Sequence, residues 1–567
     1  MSFDKASVRK VLEAVKAHGR GALAPEECRA VCAAYDIPLP AEALAKSADE
    51  AARLVAGVGY PAVMKIVSPD ILHKTEAGGV IVGVNDAAAA ERAYEKLAAN
   101  AKAYKADARV EGVLIQRMLS GGHEVIVGAL TDPSFGKVVA FGMGGVLVEV
   151  LKDVTFRLAP ASEADALSMI DGIAAAEILR GVRGGAPIER AALARIIVAV
   201  AQLAADFPEI REIDLNPIFA RSDGATAADV RIIVDFAQLH ERYRPSQAEI
   251  LAAMNRIVRP DSVAVIGASP EDGKIGNSVM KNLINGGYQG AIYPIHPKVP
   301  EVLGRKAYKS VKEIPGAVDV AVFAIPAPLV AGALKECGEK KIPGAVLIPS
   351  GFAETGNVDL QEQIVAIGRE YNVRLMGPNI YGFYYTHKNL CATFCTPYDV
   401  KGKAALSSQS GGVGMAIIGF SRSAQMGVSA IVGLGNKSDI DEDDLLTFFE
   451  QDPNTEVVAM HVEDLKDGRS FAEVARRVSK KKPVIVLKAG RTALGARRQV
   501  AYRGAGRQRS DIRRRASAIG RGARDGAERH AGVRALPADS ARAQGRECAD
   551  YHRRGRLGRA LVRRLRG

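Results

Sequence analysis

The sequence predicts an α/β protein of three successive units followed by an arginine-rich tail. Three observations support this prediction. Helical patterns with one apolar face alternate with short apolar runs, first along residues 23–245 and again from residue 262 onward. Turns rich in Gly and Ser follow two of those apolar runs. The composition changes near residue 497, where lysine disappears and arginine becomes frequent.

The first unit is predicted to span residues 1–245. Its apolar patterns predict helices at 41–58, 87–103, 162–179 and 189–206, and strands at 62–67, 112–116, 124–130 and 137–141. This alternation is typical of a mixed α/β domain.

The second unit, residues 250–395, begins with the buried-strand pattern Ser262-Val-Ala-Val-Ile266 and the turn Gly267-Ala-Ser269, and Lys274 begins the next helix. A strand, a glycine turn and a helix N-terminus form an anion site, because the N–H groups of a helix's first turn are unpaired. The turn lacks the full G-x-G-x-x-G pattern, so a simple tight connection is the alternative. Apolar runs at 291–294, 318–325, 345–349 and 374–376 complete a predicted doubly wound parallel sheet.

The third unit, residues 400–496, repeats this local pattern. A strand at 403–407 leads into the small-residue turn Ser408-Gln-Ser-Gly-Gly-Val-Gly414 and then into a predicted helix. Further strands are predicted at 428–434, 456–462 and 483–487. The unit therefore reads as another α/β domain.

The tail, residues 497–567, contains 21 Arg, no Lys and 6 acidic residues, a net charge of +15 on a chain whose total is +13. Arginine runs bind nucleic-acid phosphates, but such segments usually mix Lys with Arg, and only Tyr502 and Tyr551 are available for base stacking. A frameshift in a GC-rich gene is the simpler explanation, because shifted GC-rich codons translate largely as Arg, Gly and Ala. The sequence therefore predicts a disordered, non-native tail and no specific nucleic-acid partner.

Several classes of protein are disfavoured by the composition. The N-terminus is polar, and no apolar stretch reaches the length of about 18 to 20 residues that a membrane helix needs. Cys28 and Cys32, like Cys391 and Cys395, lack a second pair or a nearby His for a zinc site. We expect free buried thiols, no membrane partner and a cytoplasmic location.

Three groups of motifs together resemble one enzyme family. They are Ser68-Pro-Asp-Ile-Leu-His-Lys-Thr-Glu-Ala-Gly-Gly-Val80 with Lys65, Glu212-Ile-Asp-Leu-Asn-Pro217 with Val234-Asp235, and Ser262-Val-Ala-Val-Ile-Gly-Ala-Ser269 with Gly377-Pro-Asn379 and Ser408-Gln-Ser-Gly-Gly412. This set resembles the NDP-forming acyl-CoA synthetases, relatives of succinyl-CoA synthetase, in family order over about residues 20 to 495. The resemblance implies an ATP-grasp domain, a Rossmann-like CoA-binding domain and a flavodoxin-like ligase domain.

The family resemblance also implies a reaction. A carboxylic acid, CoA and ATP are interconverted with acyl-CoA, ADP and phosphate through an acyl phosphate and a phosphohistidine. The implied cofactors are ATP or ADP, CoA and Mg²⁺, and the implied assembly is a homo-oligomer. Short-chain, branched and aromatic acids stay open as substrates, as does GTP in place of ATP.

Site residues follow from the matched motifs. Lys65 is expected to neutralise nucleotide phosphates, with Gln116 and Glu124 as further nucleotide contacts. His73 matches a phosphate-carrying histidine, since neutral imidazole is a good nucleophile. Oxygen ligands suited to Mg²⁺ are expected from Asp214, Asn216 and Asp235.

The CoA-binding and ligase domains supply the remaining candidates. Glu463 resembles the carboxylate that orients the phosphohistidine. The family usually carries Asn at His296 and Cys at Ile380, so assignments in the acyl pocket are not carried over. The residues expected to contact CoA or phosphate are Gly267, Ala268, Ser269, Lys274, Lys298, Asn379, Ser408, Gln409, Ser410 and Gly411.

In the family, the motif S-H-T-G-A-L-A-G with the main phosphohistidine follows the strand at 483–487. A one-base shift permits that motif from codons 500–507, and permits N-V-L-I-I-T-G-A-G-G-S-G-V from codons 547–559. We therefore expect a synthetase with its relay loop lost, which ligates poorly. A catalytically silent protein that binds nucleotide and CoA is the alternative, and a nucleic-acid-binding protein ranks last.

Overall fold

A computed structural model describes residues 3–68, 70–71, 76–144, 153–182, 186–237, 244–397 and 400–489. The chain divides into two units, Met1–Ser510 and Asp511–Gly567, and every described residue belongs to the first. The predicted frameshifted tail therefore lies outside the described residues. No helix in the described part of the chain is long and apolar enough to cross a membrane.

The first part of the chain contains two antiparallel sheets flanked by helices. Strands are ordered β1-β4-β2-β3 in one sheet and β10-β8-β5-β6-β7 in the other, where β9 pairs with β8. Its helices are α1 Lys5–Ala17, α2 Pro25–Ala34, α3 Ala48–Val58, α4 Ala87–Tyr104, α5 Glu163–Gly172, α6 Ala176–Leu179 and α7 Arg190–Asp206. Its strands are β1 Glu42–Ala45, β2 Ala62–Val67, β3 Val80–Val84, β4 Gly112–Arg117, β5 His123–Asp132, β6 Gly136–Met143, β7 Val154–Leu158, β8 Ile210–Arg221, β9 Gly224–Ala227 and β10 Val230–Val234.

Two predicted helices of this part differ from the structure. The predicted helix 41–58 begins only at Ala48, where the Ser47 side chain accepts a hydrogen bond from the N–H of Glu50. The residues before it form β1, which pairs with β4. The predicted helix 162–179 is divided into α5 and α6 by the extended backbone at Ile173. Both differences occur at Ala-rich segments, where the pattern of apolar residues does not distinguish a continuous helix from a short strand or an interrupted helix.

The second part contains the predicted parallel sheet, ordered β12-β11-β15-β16-β17. All four neighbouring pairs are parallel. Its helices are α8 Gln247–Val258, α9 Ile275–Asn285, α10 Ala327–Glu339 and α11 Val358–Glu370. Its strands are β11 Ser262–Ile266, β12 Ala291–Ile295, β15 Val320–Phe323, β16 Gly344–Leu347 and β17 Arg374–Met376, and β13 Glu301–Val302 forms a small hairpin with β14 Arg305–Lys306.

The third part contains a six-stranded mixed sheet, ordered β19-β18-β21-β20-β22-β23. Strands β18 and β19 precede the predicted boundary at residue 400, yet they join this sheet because β18 pairs with β21. Its helices are α12 Gly411–Ser423, α13 Glu442–Gln451 and α14 Gly468–Ser479. Its strands are β18 Gly382–Tyr385, β19 Leu390–Thr393, β20 Lys401–Ser408, β21 Val428–Gly433, β22 Val457–Val462 and β23 Val484–Lys488.

The apolar cores position the sites. One buried cluster runs continuously from β11 and β16 to β21 and β22, so the second and third parts share a core. Separate clusters lie under each of the two sheets of the first part. The parallel strands are therefore anchored in these cores, and the candidate loops follow the C-terminal ends of the strands.

Candidate active site

The predicted nucleotide lysine is buried between two strands of the first sheet. Lys65, on β2, is only 9% exposed. Its Nζ donates to Gln116 Oε1 at 3.0 Å and to the carbonyl oxygen of Ala228 at 2.8 Å. Asp229 Oδ1 lies 3.8 Å from the same Nζ. The structure thus brings Lys65 and Gln116 together and adds Asp229, which the sequence analysis missed.

Asp214 and Asn216 occupy alternate positions on β8 and so face the same side of the sheet. Burial is the main cause that raises the pKa of Asp214 to about 6. The N–H of Asn216 donates to the carbonyl oxygen of Asp229 at 3.2 Å, and the charge of Asp229 also raises the pKa of Asp214. Asp214, Asn216 and Asp229 are therefore neighbours.

Asp235 is not brought to this group. It follows the last residue of β10, whereas Asp214 lies opposite Arg231 near the start of that strand. Four residues of extended chain separate the two positions, about 13 Å at the usual strand rise. Asp235 instead lies 3.8 Å from Arg211. The structure therefore places Asp229 beside Asp214 and Asn216, and places Asp235 away from them.

This group suits Mg²⁺ only together with other ligands. Among the described residues, no three His, Cys, Asp or Glu side chains are grouped closely enough to hold a metal ion. Mg²⁺ typically takes one or two carboxylates, keeps several waters and uses substrate phosphates for the rest. Two carboxylates and an exposed amide beside a buried lysine fit that donor set.

Glu124 lies apart from this cluster. Glu124 is exposed on β5, opposite Phe219 of β8. Its backbone carbonyl accepts a hydrogen bond from Gly144 at 2.7 Å. His73, the predicted phosphate-carrying residue, lies outside the described residues.

The predicted CoA site is a crevice of about 610 Å³ at the C-terminal edge of the parallel sheet. Gly267 ends β11 with a φ of +85°, and a Cβ there would stand 2.6 Å from the carbonyl oxygen of Ala324. The crevice opens between β11 and β15, where the strand order reverses, which is where ligands bind in sheets of this kind. Its polar lining comes from Ser269, Lys274, His296 and Ser350.

Lys274 stands at the N-cap of α9 and is exposed, so its ammonium group accompanies a helix N-terminus. Ala268 is fully buried and is not part of the crevice lining. Lys298 is exposed and is not part of the crevice lining, although its N–H donates to His296 Nδ1 at 3.1 Å. The structure thus gathers Gly267, Ser269 and Lys274 and leaves Lys298 at the rim.

The predicted ligase loop joins β20 to α12. Ser410 is the N-cap of α12, and its side chain accepts a hydrogen bond from the N–H of Val413. Nothing lies within 4 Å of where a Cβ would stand on Gly411, so the space above the helix N-terminus is open. This loop offers unpaired N–H groups to an anion.

Gln409 ties this loop to Glu463. Its Oε1 accepts from the N–H groups of Glu463 and Asp464 at 3.0 and 3.1 Å, and its Nε2 donates to the Asp464 carboxylate. Lys488 Nζ donates to the carbonyl oxygen of Glu463 at 2.6 Å. The structure therefore brings Glu463 to the Ser408–Gly411 loop, and assigns Gln409 a positioning contact in addition to its predicted role.

A fully buried lysine supports the same segment. Lys437 follows β21, is 0% exposed, and its Nζ lies 2.9 and 3.0 Å from the two carboxylate oxygens of Glu442. The same Nζ donates to the carbonyl oxygen of Asp464 at 2.6 Å. Lys437 was not predicted as a site residue. The acidic residues at 439–444, which follow it closely in the sequence, could have indicated a counter-charge for a buried lysine.

Asn379 connects the CoA crevice with the ligase loops. Its N–H donates to the carbonyl oxygen of Pro349, beside Ser350 of the crevice. Its side-chain Nδ2 lies 3.5 Å from Asn436 Oδ1, and Asn436 directly precedes Lys437. Asn379 thus lies between the two sites, as a residue shared by both would.

Fold and site together define the class of acid–thiol ligases, enzymes that use both a nucleotide and CoA. Residues 14–234 match the family model of the ATP-grasp domain, 261–386 that of the CoA binding domain, and 401–517 that of the succinyl-CoA ligase like flavodoxin domain. The resemblance drawn from the motifs is confirmed.

The relatives define the family more closely. Acetate–CoA ligase [ADP-forming] II of Archaeoglobus fulgidus is 34% identical over 486 residues, which cover 85% of this chain and 69% of that protein. This chain belongs to the family of ADP-forming acetate–CoA ligases.

Two subunits of acetate–CoA ligase [ADP-forming] I of Pyrococcus furiosus each match part of the chain. The β subunit is 48% identical over 229 residues, 40% of this chain and 98% of that subunit. The α subunit is 47% identical over 258 residues, 44% of this chain and 56% of that subunit. The chain therefore matches nearly all of one subunit and about half of the other.

Proposed function

We propose that this protein binds a nucleotide and CoA as an NDP-forming acyl-CoA synthetase, and that its full reaction is impaired. The reaction interconverts a carboxylic acid, CoA and ATP with acyl-CoA, ADP and phosphate. The names of the relatives, which specify CoA and ADP formation, support this choice of ligands. The observation that carries the proposal is the link from the CoA crevice through Asn379 to the Gln409–Glu463 contact.

Each region has a physical task in this proposal. Lys65 neutralises nucleotide phosphates, which matters because phosphoryl transfer depends mainly on positioning and charge stabilisation. Asp214, Asn216 and Asp229 would hold Mg²⁺, which adds charge neutralisation at the nucleotide phosphates when bound. The crevice beside Gly267 holds CoA, and the N-terminus of α12 holds the phosphate of an acyl phosphate.

The impairment rests on the sequence after residue 497. In a frame shifted by one base, codons 500–507 permit the relay motif with its histidine, which the present chain does not carry. The match to the ligase-domain model reaches residue 517, into the arginine-rich segment. The gene itself tests the proposal: reading codons 490–570 one base later should give S-H-T-G-A-L-A-G, and a shifted frame without it would refute the frameshift.

The metal cluster is tested by paired substitutions. Asp229→Asn and Asp214→Asn should each weaken Mg²⁺-dependent ATP binding about tenfold, equivalent to about 1.4 kcal/mol. Asp235→Asn should leave it unchanged, because Asp235 contacts Arg211 instead. Calorimetric titration of ATP with and without Mg²⁺ measures the difference. A loss with Asp235→Asn but not with Asp229→Asn would contradict the cluster.

The remaining parts of the proposal concern assembly and location. The Pyrococcus furiosus relatives are named as separate α and β subunits, and this chain carries segments similar to both. We propose a homo-oligomer in the cytoplasm. Light scattering coupled to gel filtration tests the assembly, and a monomer at all concentrations would contradict it.

A further inference from the structure

His461 is the ionisable side chain of a mostly apolar groove. It lies on β22, two residues before Glu463, and is only 7% exposed. The groove has a volume of about 400 Å³ and lies between α12 and the strands β20, β22 and β23. Ile417, Phe420 and Leu487 are among its apolar lining residues. A buried imidazole at this position calls for a physical explanation.

Hydrogen bonds define which ring nitrogen carries the proton. The Ser408 hydroxyl donates to the carbonyl oxygen of Ser410 at 2.8 Å. The Ser408 hydroxyl oxygen also lies 3.3 Å from His461 Nδ1. A hydroxyl has one proton to donate, so Nδ1 must be the donor in the second contact. The lone pair is then on Nε2, which makes no hydrogen bond within the described residues.

The surroundings of the ring favour its neutral form. Burial is the main cause that lowers the pKa of His461, and the carboxylate of Glu463 opposes this shift. A neutral imidazole is a nucleophile. The same Glu463 charge would stabilise the ring once it became cationic.

The ring also adjoins the anion loop. The N–H of Gln409 donates to the carbonyl oxygen of His461 at 3.2 Å. Ser408 pairs directly with His461 across β20 and β22. Gly411 and Gly412, the first residues of α12, have open space where a Cβ would stand. A phosphoryl group held at this helix N-terminus would therefore lie next to the histidine.

We propose that His461 is a phosphoryl acceptor, whose Nε2 takes the phosphoryl group of an acyl phosphate held at the N-terminus of α12. The inference rests on the proposed function, because that reaction supplies the acyl phosphate. The Nε2 lone pair forms the N–P bond while the P–O bond to the acyl oxygen breaks, and the carboxylate leaves with both electrons. The Nδ1 proton stays on the ring, bonded to Ser408 Oγ. This station does not depend on residues 497–567.

The test uses radiolabelled acetyl phosphate with the full chain, without nucleotide or CoA. We expect label that is labile to acid and stable to alkali, and a peptide that contains His461 and has gained the mass of one phosphoryl group. His461→Asn should abolish the label. Ser408→Ala should slow labelling about tenfold, the effect of losing about 1.4 kcal/mol of orientation.

His387→Asn is the matched control, because His387 is a half-buried histidine in the turn between β18 and β19 of the same part of the chain, and its Nε2 contacts the carbonyl oxygen of Gly402. It should retain the label. CoA binding by His461→Asn, unchanged from the parent, shows that the variant is folded. Label that persists in His461→Asn, label on another histidine alone, or no label on a parent chain that binds CoA would each overturn the inference. Failure of the parent to bind CoA would overturn the proposed function as well.

Discussion

The parallel sheet of the CoA crevice and the sheet of the third part place the same local motif at the same edge. In each, a buried strand ends in a turn of small residues and a helix begins. The first turn is built from backbone: a Cβ on Gly267 would stand 2.6 Å from the carbonyl oxygen of Ala324, which directly follows the neighbouring strand β15. The second is held by side chains, since Gln409 and Lys437 join three strand ends around Glu463 and Asp464.

This difference indicates two ways to make an anion loop precise. A glycine turn packed on neighbouring backbone is held in place without any charged group. The loop after β20 instead depends on a buried ion pair and an amide bridge. A buried ion pair contributes little net stability, but removing one partner leaves an uncompensated charge. The second loop should therefore respond more strongly to substitution.

Lys437→Met should have the largest effect. It leaves Glu442 buried without a counter-charge, which costs about 3 to 5 kcal/mol. The urea midpoint of the transition that involves the third part measures it. Lys437→Met with Glu442→Gln should recover part of the loss. Lys403→Ala, which removes an exposed pair with Glu456, is the control and should change stability by less than about 1 kcal/mol. Equal effects of the two lysine variants would remove the distinction between the loops.

Gly267→Ala should come next. A side chain at a φ of +85°, with its Cβ against the Ala324 carbonyl oxygen, costs about 1 to 3 kcal/mol and should abolish CoA binding. Gly411→Ala is the matched change in the other loop, where the space is open. There the gain in helix propensity, up to about 1 kcal/mol, should leave stability unchanged or raised. Thermal unfolding and CoA titration test both, and a destabilised Gly411→Ala would contradict the open loop.

The two regions should also respond to pH with opposite sign. Burial and the neighbouring Asp441 raise the pKa of Asp443 on α13. Its folded form holds a proton that the unfolded chain has lost, so stability falls as pH rises from about 4 toward that raised pKa. Asp443→Asn should flatten this dependence and stabilise the protein at pH 7.

Asp319, before β15 in the CoA-crevice sheet, is the counterpart. Burial alone would raise its pKa, but hydrogen bonds from Arg256, Asp261 N–H and Ser262 outweigh burial and lower it. Its contribution is present above about pH 4 and is lost as pH falls through the lowered pKa. Asp319→Asn should therefore destabilise at pH 7 and become neutral in acid. Urea midpoints between about pH 2 and pH 8 test both variants, and parallel pH profiles would contradict the contrast.

The smallest expected effect concerns an exposed lysine in the lining of the crevice. Lys274→Ala should weaken CoA binding about fivefold, because an exposed charge-assisted contact contributes about 1 kcal/mol. Lys281→Ala removes a lysine of the same helix that pairs with Asp272 outside the crevice, and it should leave CoA affinity unchanged. Calorimetric titration of CoA distinguishes them. Equal losses would indicate a general charge effect instead of a contact at the crevice.

Strands and turns with strong local signals could be predicted from the sequence. The apolar run of β11, the turn at Gly267 and the helix at Lys274 each follow local rules, and the structure places them as predicted. The Ala-rich segment 41–58 could not be divided correctly, because β1 depends on its pairing with the distant β4. Local propensity is weakest where tertiary pairing decides the structure.

Two site residues escaped prediction for a similar reason. Asp229 becomes a neighbour of Asn216 through the pairing of β8 with β10, and the same register places Asp235 away from Asp214. A lysine is seldom fully buried, so Lys437 gave no sign of its role until Glu442 and Asp464 were placed around it. Contacts between the ends of distant strands could not be predicted from the sequence. The type of chemistry could be predicted, because it follows from the residue types in the motifs.

The most direct test of the account measures ligand binding and turnover on the same preparation of the 567-residue chain. Calorimetry should show binding of CoA and of Mg²⁺-ATP, while steady-state acyl-CoA formation from acetate should fall far below the rates of about 1 to 1,000 per second typical of enzymes. Acyl-CoA formation at such rates would contradict the impaired relay. Absence of both binding events would contradict the synthetase assignment itself.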